Sequence, residues 1–155
     1  MDQQQDLGAV ARSIIDSNWY MALGTADESG RPWVSPVYYA AEGYSDFYWV
    51  SSPEARHSRN LAGRPELSIV IFDSRVAIGA GQGVYMSAVA EELTGDELER
   101  GIDIFSRVSE GHGARPWMLA DVRPPSVIRL YRAVASEHWV LEPGSRPNRR
   151  TAVTP

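Results

Sequence analysis

Cysteine and lysine are both missing from this 155-residue chain, whose 15 basic residues are all arginine. Without cysteine there is no disulfide framework, no thiolate nucleophile and no thiolate zinc site. Without lysine there is no Schiff-base amine and no P-loop lysine. Histidine is scarce: His57, His112 and His138 stand apart, without the short spacing of metal ligands, so no metal site is expected. A net charge of −5 excludes a broad nucleic-acid surface, and any phosphate binding has to be local. The chain lacks a signal-peptide pattern and any apolar run of about 18 residues, so the expectation is a cytoplasmic protein with no membrane partner.

What is present reads as one domain with one core, domains commonly holding about 100–150 residues. Leu7, Val10, Ile14 and Ile15 recur at helical spacing with Arg12, Asp16 and Ser17 opposite, which predicts an amphipathic lid helix over residues 6–18. Strands are predicted over 19–25 (WYMALGT), 32–40 (PWVSPVYYA) and 46–51, the first two joined by a glycine-ended turn. Pro36 inside the second strand implies an edge or a bulge, where backbone groups are free to meet something other than a strand. Strand, turn, strand, longer turn and strand together read as an antiparallel meander.

Further on, 67–72 (LSIVIF) and 83–92 (GVYMSAVAEE) are strands, and Val76, Ala77 and Ile78 are open as an extension of the former. Gly79-Ala80-Gly81-Gln82-Gly83 lacks the strand-to-helix setting of a phosphate loop and reads as a turn or bulge. Thr94 and Glu97 have capping-box spacing and open a helix to about Ser109, buried through Leu98, Ile102, Ile104, Phe105 and Val108. After a loop over 111–125, residues 126–135 and 137–141 read as two final strands. The tail, residues 142–155 with Arg146, Arg149 and Arg150, reads as flexible or ordered by a partner. The expected architecture is a mainly β domain over residues 1–141, a small antiparallel barrel of six or seven strands with flanking helices.

The stretch Phe47 to Pro65, FYWVSSPEARHSRNLAGRP, carries the strongest functional signal. An aromatic strand runs into Ser51-Ser52-Pro53, where Ser52 suits an N-cap and Pro53 the first helical position. Arg56, His57 and Arg59 follow on the helix, so hydroxyls, backbone N–H groups and cations converge as an anion requires. Two readings stay open at this level: the phosphate site of a nucleotide-like cofactor, and an exposed helix with solvated arginines.

The succession LGTADESGRPWVSPVYY, FYWVSSPEARHSRNLAGRPELSIVIF and GQGVYMSAVAEEL resembles the pyridoxamine 5′-phosphate oxidase-like superfamily of FMN- and F420-binding split barrels. The resemblance covers about residues 19–141, most of the chain. It implies a split β-barrel, a homodimer with its sites at the subunit interface, and FMN or the deazaflavin F420 as cofactor. It implies phosphate contacts at the strand end Val50, Ser51 and Ser52 and at Arg56, His57 and Arg59. The ring would lie along Trp33, Val34, Ser35 and Pro36 and against Gln82. Tyr38, Trp49 and Trp139 are substrate-side candidates.

Departures from the family pattern narrow these implications. Where true oxidases of pyridoxamine phosphate have an arginine and a lysine on the second strand, the nearest residues here are Ser35 and Ala40. Their C-terminal substrate motif is only partly echoed by Arg129-Leu130-Tyr131-Arg132-Ala133. The expectation is therefore a flavin- or F420-dependent oxidoreductase of a small organic substrate, not a pyridoxamine phosphate oxidase. The alternative is a non-catalytic module that binds or senses a flavin or a tetrapyrrole.

Overall fold

The computed structural model describes residues 6–142, 144–145 and 147–155. Helix α1 (Leu7–Ser17) starts where the Asp6 carboxylate accepts a hydrogen bond from Ala9 N at 3.1 Å. It stops where Asn18 Nδ2 donates to the Ile14 carbonyl at 2.9 Å. Strands β1 (Tyr20–Ala26), β2 (Pro32–Tyr38), β3 (Ala40–Glu42) and β4 (Asp46–Ser51) precede helix α2 (Arg56–Gly63). Then come β5 (Glu66–Phe72), β6 (Gly83–Glu92), helix α3 (Gly95–Gly111), β7 (Arg129–Leu141) and β8 (Arg150–Val153).

All the pairings are antiparallel, in the order β2-β1-β5-β6-β7-β4-β3 with β8 beside β7. One segment, residues 32–42, borders β1 through β2 and β4 through β3, interrupted only at Tyr39. It therefore links the two ends of the curled sheet, the mainly β split barrel that the sequence implies. Pro36 lies on β2, which among the described residues has β1 as its sole strand neighbour, the edge position a proline tolerates.

Two cores result. Met21, Leu23, Phe47, Trp49, Ile71, Val84, Met86 and Val140 fill the barrel, with Ala11 and Ile15 of α1 and Leu61 of α2 packed among them. On the outside, Leu98, Ile102 and Phe105 of α3 cover Ala40, Tyr48 and Leu130. β4 is thus buried on both faces, which is why it reads as a continuous apolar run instead of alternating.

Several sequence expectations are corrected. The meander of the first three strands holds only in part: β2 pairs with β1 and its continuation β3 with β4, but over only three residues, and β4 takes β7 as its long neighbour, Tyr48 standing opposite Arg132. The predicted final pair of strands is the single strand β7, whose extra residue Ser136 is a bulge between the Ala135–Ala88 and Glu137–Ser87 partners. Residues 76–78 extend no strand; they lie in the exposed loop after β5. Thr94 is the N-cap of α3 without a side-chain bond, and the Glu97 carboxylate, instead of reaching back to the Thr94 N–H, accepts from the Arg132 guanidinium. The tail is not free of structure: β8 pairs with His138 to Leu141, and the Thr154 carbonyl sits so close to Gly8 that a Cβ there would lie 2.6 Å from it. Arg146 lies outside the described residues.

Candidate functional site

The site grows from the β1–β2 turn and from α2. In the turn, Asp27 accepts from Ser29 N at 2.9 Å, Ser29 Oγ at 2.7 Å and Arg31 N at 2.9 Å. Those donors, the Ser29 hydroxyl foremost, hold its carboxyl below the usual carboxylate range. Gly30 supplies the positive φ of 87° that the turn requires. Arg31, Pro32 and Trp33 are thereby presented on the rim beside α2.

Helix α2 does not begin at Ser52 and Pro53 as expected. Ser52 Oγ accepts from Glu54 N at 3.1 Å and its carbonyl accepts from Ala55 N, so these residues close a turn first and the helix starts at Arg56. The helix buries His57, Ser58, Asn60 and Leu61. Arg56 and Arg59 remain exposed beside a cleft of about 230 Å³ lined by Asp27, Arg31, Pro32, Trp33, Arg56, Arg59 and Asn60. The Arg56 guanidinium lies over the Trp33 ring, 4.2 Å from its centroid, which orders it and leaves its N–H groups free. Among the described residues, none of Arg31, Arg56 and Arg59 has a carboxylate within 4 Å. The cleft thus sets three guanidiniums against the single carboxylate of Asp27.

Behind this rim runs a chain of hydrogen bonds. Trp33 Nε1 donates to Ser35 Oγ at 2.9 Å; Ser35 Oγ lies 3.2 Å from His57 Nδ1, and His57 Nε2 lies 2.8 Å from Ser51 Oγ. His57 is 9% exposed, and burial lowers its pKa. A neutral ring with one donor and one acceptor nitrogen satisfies both serines, so His57 ties β2, α2 and β4 together. Asn60 Nδ2 donates to Thr25 Oγ1 at 3.1 Å and fixes α2 to β1 in the same way.

The structure gathers Trp33, Ser35, Ser51, Arg56, His57 and Arg59 at this one corner. Ser51 and His57 form its support, and the arginines and Trp33 its open face. Val34 and Trp139 instead border a shallow apolar hollow on the outer sheet face, which shares Val70 and Tyr85 with an adjoining one that contains Gln82. Pro36 is exposed on the same edge strand. Val50 packs under α3, and Ser52 is engaged in its turn. Trp49 is not on a substrate side: it is 0% exposed and stacks on Tyr131 with centroids 5.6 Å apart, because its strand is buried on both faces. Tyr38 is roughly 16 Å along β2 from Trp33 at strand spacing; its hydroxyl is 2.6 Å from His112 Nδ1 and its ring meets Phe105 of α3.

Sequence reading missed Asp27, Arg31 and Asn60. The Asp-x-Ser-Gly turn signal was visible, but nothing local says that this turn faces α2. Among the described residues no cluster of His, Asp or Glu is suited to a metal ion, and no helix is long and apolar enough to cross a membrane.

Solved structures of similar shape include a heme binding protein from Mycobacterium smegmatis, 25% identical, with a TM-score of 0.70 over 93% of this chain. The chain spans only 56% of that protein's length. HutZ, the heme storage protein of Vibrio cholerae, is 21% identical over 85% of this chain and 92% of its own, with a TM-score of 0.67. An F420 reductase is 14% identical over 82% of this chain and 94% of its own, with a TM-score of 0.59. The last two establish the fold alone. No curated protein matches the chain. The family model described as pyridoxamine 5′-phosphate oxidase matches residues 7–130, a span that holds every strand from β1 to β6, the helices α1, α2 and α3 and the start of β7. On that match and this strand order, the chain belongs to the pyridoxamine 5′-phosphate oxidase family of split barrels.

Proposed function

We propose that the protein is an oxidoreductase that binds FMN or F420, with the cofactor phosphate in the arginine cleft. The observation that carries this reading is the set of Arg31, Arg56 and Arg59 around one cleft, without carboxylate partners among the described residues and with Arg56 pre-ordered on Trp33. A phosphate group fits that donor set, since guanidiniums pair with phosphate oxygens through parallel N–H groups. Guanidiniums from the turn and from α2 replace the cations that are absent at Ser35 and Ala40. A cleft of about 230 Å³ has room for the phosphate arm, and the ring is left to the exposed edge of β2 at Val34 and Pro36.

When bound, the flavin or deazaflavin supplies the hydride or electron transfer, which is why the chain needs no nucleophile of its own. Arg56 and Arg59 hold the anion, and Asn60 and Asp27 set the cleft's shape. Ser35, His57 and Ser51 keep β2 aligned with α2. The outer face carrying Val34, Val70, Phe72, Tyr85 and Trp139 is assigned to a second copy of the chain; Val34 is 66% and Phe72 52% exposed, more apolar surface than a lone barrel needs. A small organic substrate would then be reduced or oxidised at the dimer interface.

The similarity to a heme binding protein at 25% identity favours a second reading, a tetrapyrrole-binding module. Titration of the purified protein with FMN, riboflavin, F420 and hemin separates the two. The flavin reading expects FMN or F420 to bind at micromolar concentration, riboflavin to bind far more weakly, and the reduced cofactor to turn over with an electron acceptor. Stoichiometric hemin binding with a Soret band, and no binding of FMN or F420, overturns it in favour of the module.

A further inference from the structure

The reverse face of α2 borders a cavity that the cofactor reading does not use. Ser58, Leu61 and Ala62 face a space of about 330 Å³ whose other walls include Pro65, Ala90, Glu92 and Tyr131. That volume lies within the range of about 300–1,000 Å³ for small-molecule sites. Arg56, Arg59 and Asn60 point into the arginine cleft instead, so the two spaces are separated by the helix.

Three features give the cavity a chemical character. Ser58 is 3% exposed; its hydroxyl lies next to that of Tyr131 but makes no well-aligned hydrogen bond among the described residues. A buried hydroxyl left unpaired is uncommon and calls for a partner. Beside it stands Tyr131, itself buried and stacked on Trp49. At the rim, Glu91 is ion-paired with Arg132, whereas Glu92 has no cationic group within 4 Å among the described residues. A carboxylate without a cationic partner among the described residues, a buried hydroxyl without a well-aligned hydrogen bond, the Tyr131 hydroxyl next to both, and an apolar wall of Leu61, Ala62, Pro65 and Ala90 therefore share one cavity.

We propose that this cavity binds a small organic cation, a primary ammonium with a short hydrocarbon part. The Glu92 carboxylate and Ser58 Oγ both accept hydrogen bonds, and an ammonium is a pure donor that suits both. The hydrocarbon part lies on Leu61, Ala62 and Pro65. Glu91 and Glu92 exclude an anion of the same shape.

The probe is benzylamine, with benzyl alcohol and benzoate as neutral and anionic analogues, followed by calorimetry and by amide chemical-shift changes on the full chain. Benzylamine is expected to bind saturably, with shift changes centred on Ser58, Leu61, Ala90 and Tyr131, and benzyl alcohol to bind at least about tenfold more weakly. Glu92→Gln and Ser58→Ala are each expected to weaken benzylamine about tenfold. Glu92 is exposed, so its variant decides the matter even if Ser58→Ala fails to fold. Equal binding of the three probes overturns the proposal, as do unchanged affinity in Glu92→Gln and shift changes centred on Arg56 and Arg59. Absence of benzylamine binding up to about 10 mM does the same. Because no flavin is added, the outcome is independent of the cofactor assignment.

Discussion

Replacing Arg56 by alanine tests the cleft most directly, provided FMN and riboflavin are compared. A hydrogen bond to a charged group is worth about 1.5–3 kcal/mol net, and Arg56 is positioned to give one to a phosphate. Its stacking on Trp33 at 4.2 Å is already present in the free protein, so that contact cancels from the binding difference and the guanidinium is ordered beforehand. The expected loss for FMN is therefore the whole hydrogen-bond term, a rise in Kd of roughly 10- to 150-fold. Riboflavin lacks the phosphate, and its weaker binding should change less than about twofold. Arg59 lines the same cleft but no side chain among the described residues holds it, so on binding it gives up side-chain entropy of up to about 1.5–2 kcal/mol, and Arg59→Ala is expected to cost about tenfold or less. Fluorescence titration of both ligands against both variants measures all four numbers. If Arg56→Ala weakens FMN and riboflavin alike, or the two variants show equal and small losses, the cleft is not a phosphate site.

Three further outcomes are expected. Burial keeps the His57 ring neutral and its pKa below the ordinary value in the fold; the unfolded chain takes up that proton first as pH falls, so stability declines below about pH 6.5 and levels off beneath the depressed folded value. His57→Gln should flatten that part of the denaturation-versus-pH curve, and an unchanged slope would show that His57 is not its source. Gly101→Ala places a Cβ 2.8 Å from Leu93 Cδ1, 3.0 Å from Leu130 Cδ2 and 3.2 Å from Tyr48 Cε1. Elsewhere in a helix the change gains about 1 kcal/mol, but here urea denaturation should record a loss of about 1–2 kcal/mol from crowding, and a gain would refute it. Val34→Asp puts a charge in the apolar outer face, and sedimentation should show a dimer for the parent protein and a folded monomer for the variant; a monomeric parent at micromolar concentration removes the dimer.

Much of the fold was legible because it is local. The spacing of Leu7, Val10, Ile14 and Ile15 gave α1, the runs WYMALGT and GVYMSAVAEE gave β1 and β6, and Pro36 marked an edge strand. What was not legible depends on partners distant in sequence. Nothing in Phe47 to Ser51 names β7 as its neighbour, so proximity suggested a meander. Ser136 looked like a break between two strands because a bulge shifts the pattern without ending the pairing. Glu97 has capping-box spacing, yet a half-buried arginine from β7 takes its carboxylate instead. At the site, Arg56, His57 and Ser51 were legible as a group, but not their division of labour. Which of them face solvent is set by the side of α2 that packs on the barrel, and Arg31 joins them only through the β1–β2 pairing.

The pairing of Tyr48 with Arg132 has a consequence for synthesis. β4 carries Ser51, the anchor of His57, but its own sheet neighbour β7 is made only after α2, β5, β6 and α3. At about 5–20 residues per second, the aromatic run Phe47-Tyr48-Trp49 waits roughly 5–20 s on the ribosome without that partner. During that interval an apolar segment is exposed, and contacts so distant along the chain are slow to close once their halves exist. The helix that bears two of the cleft's three arginines is therefore translated early and fixed late, and nascent chains halted before β7 should be the ones that chaperones hold.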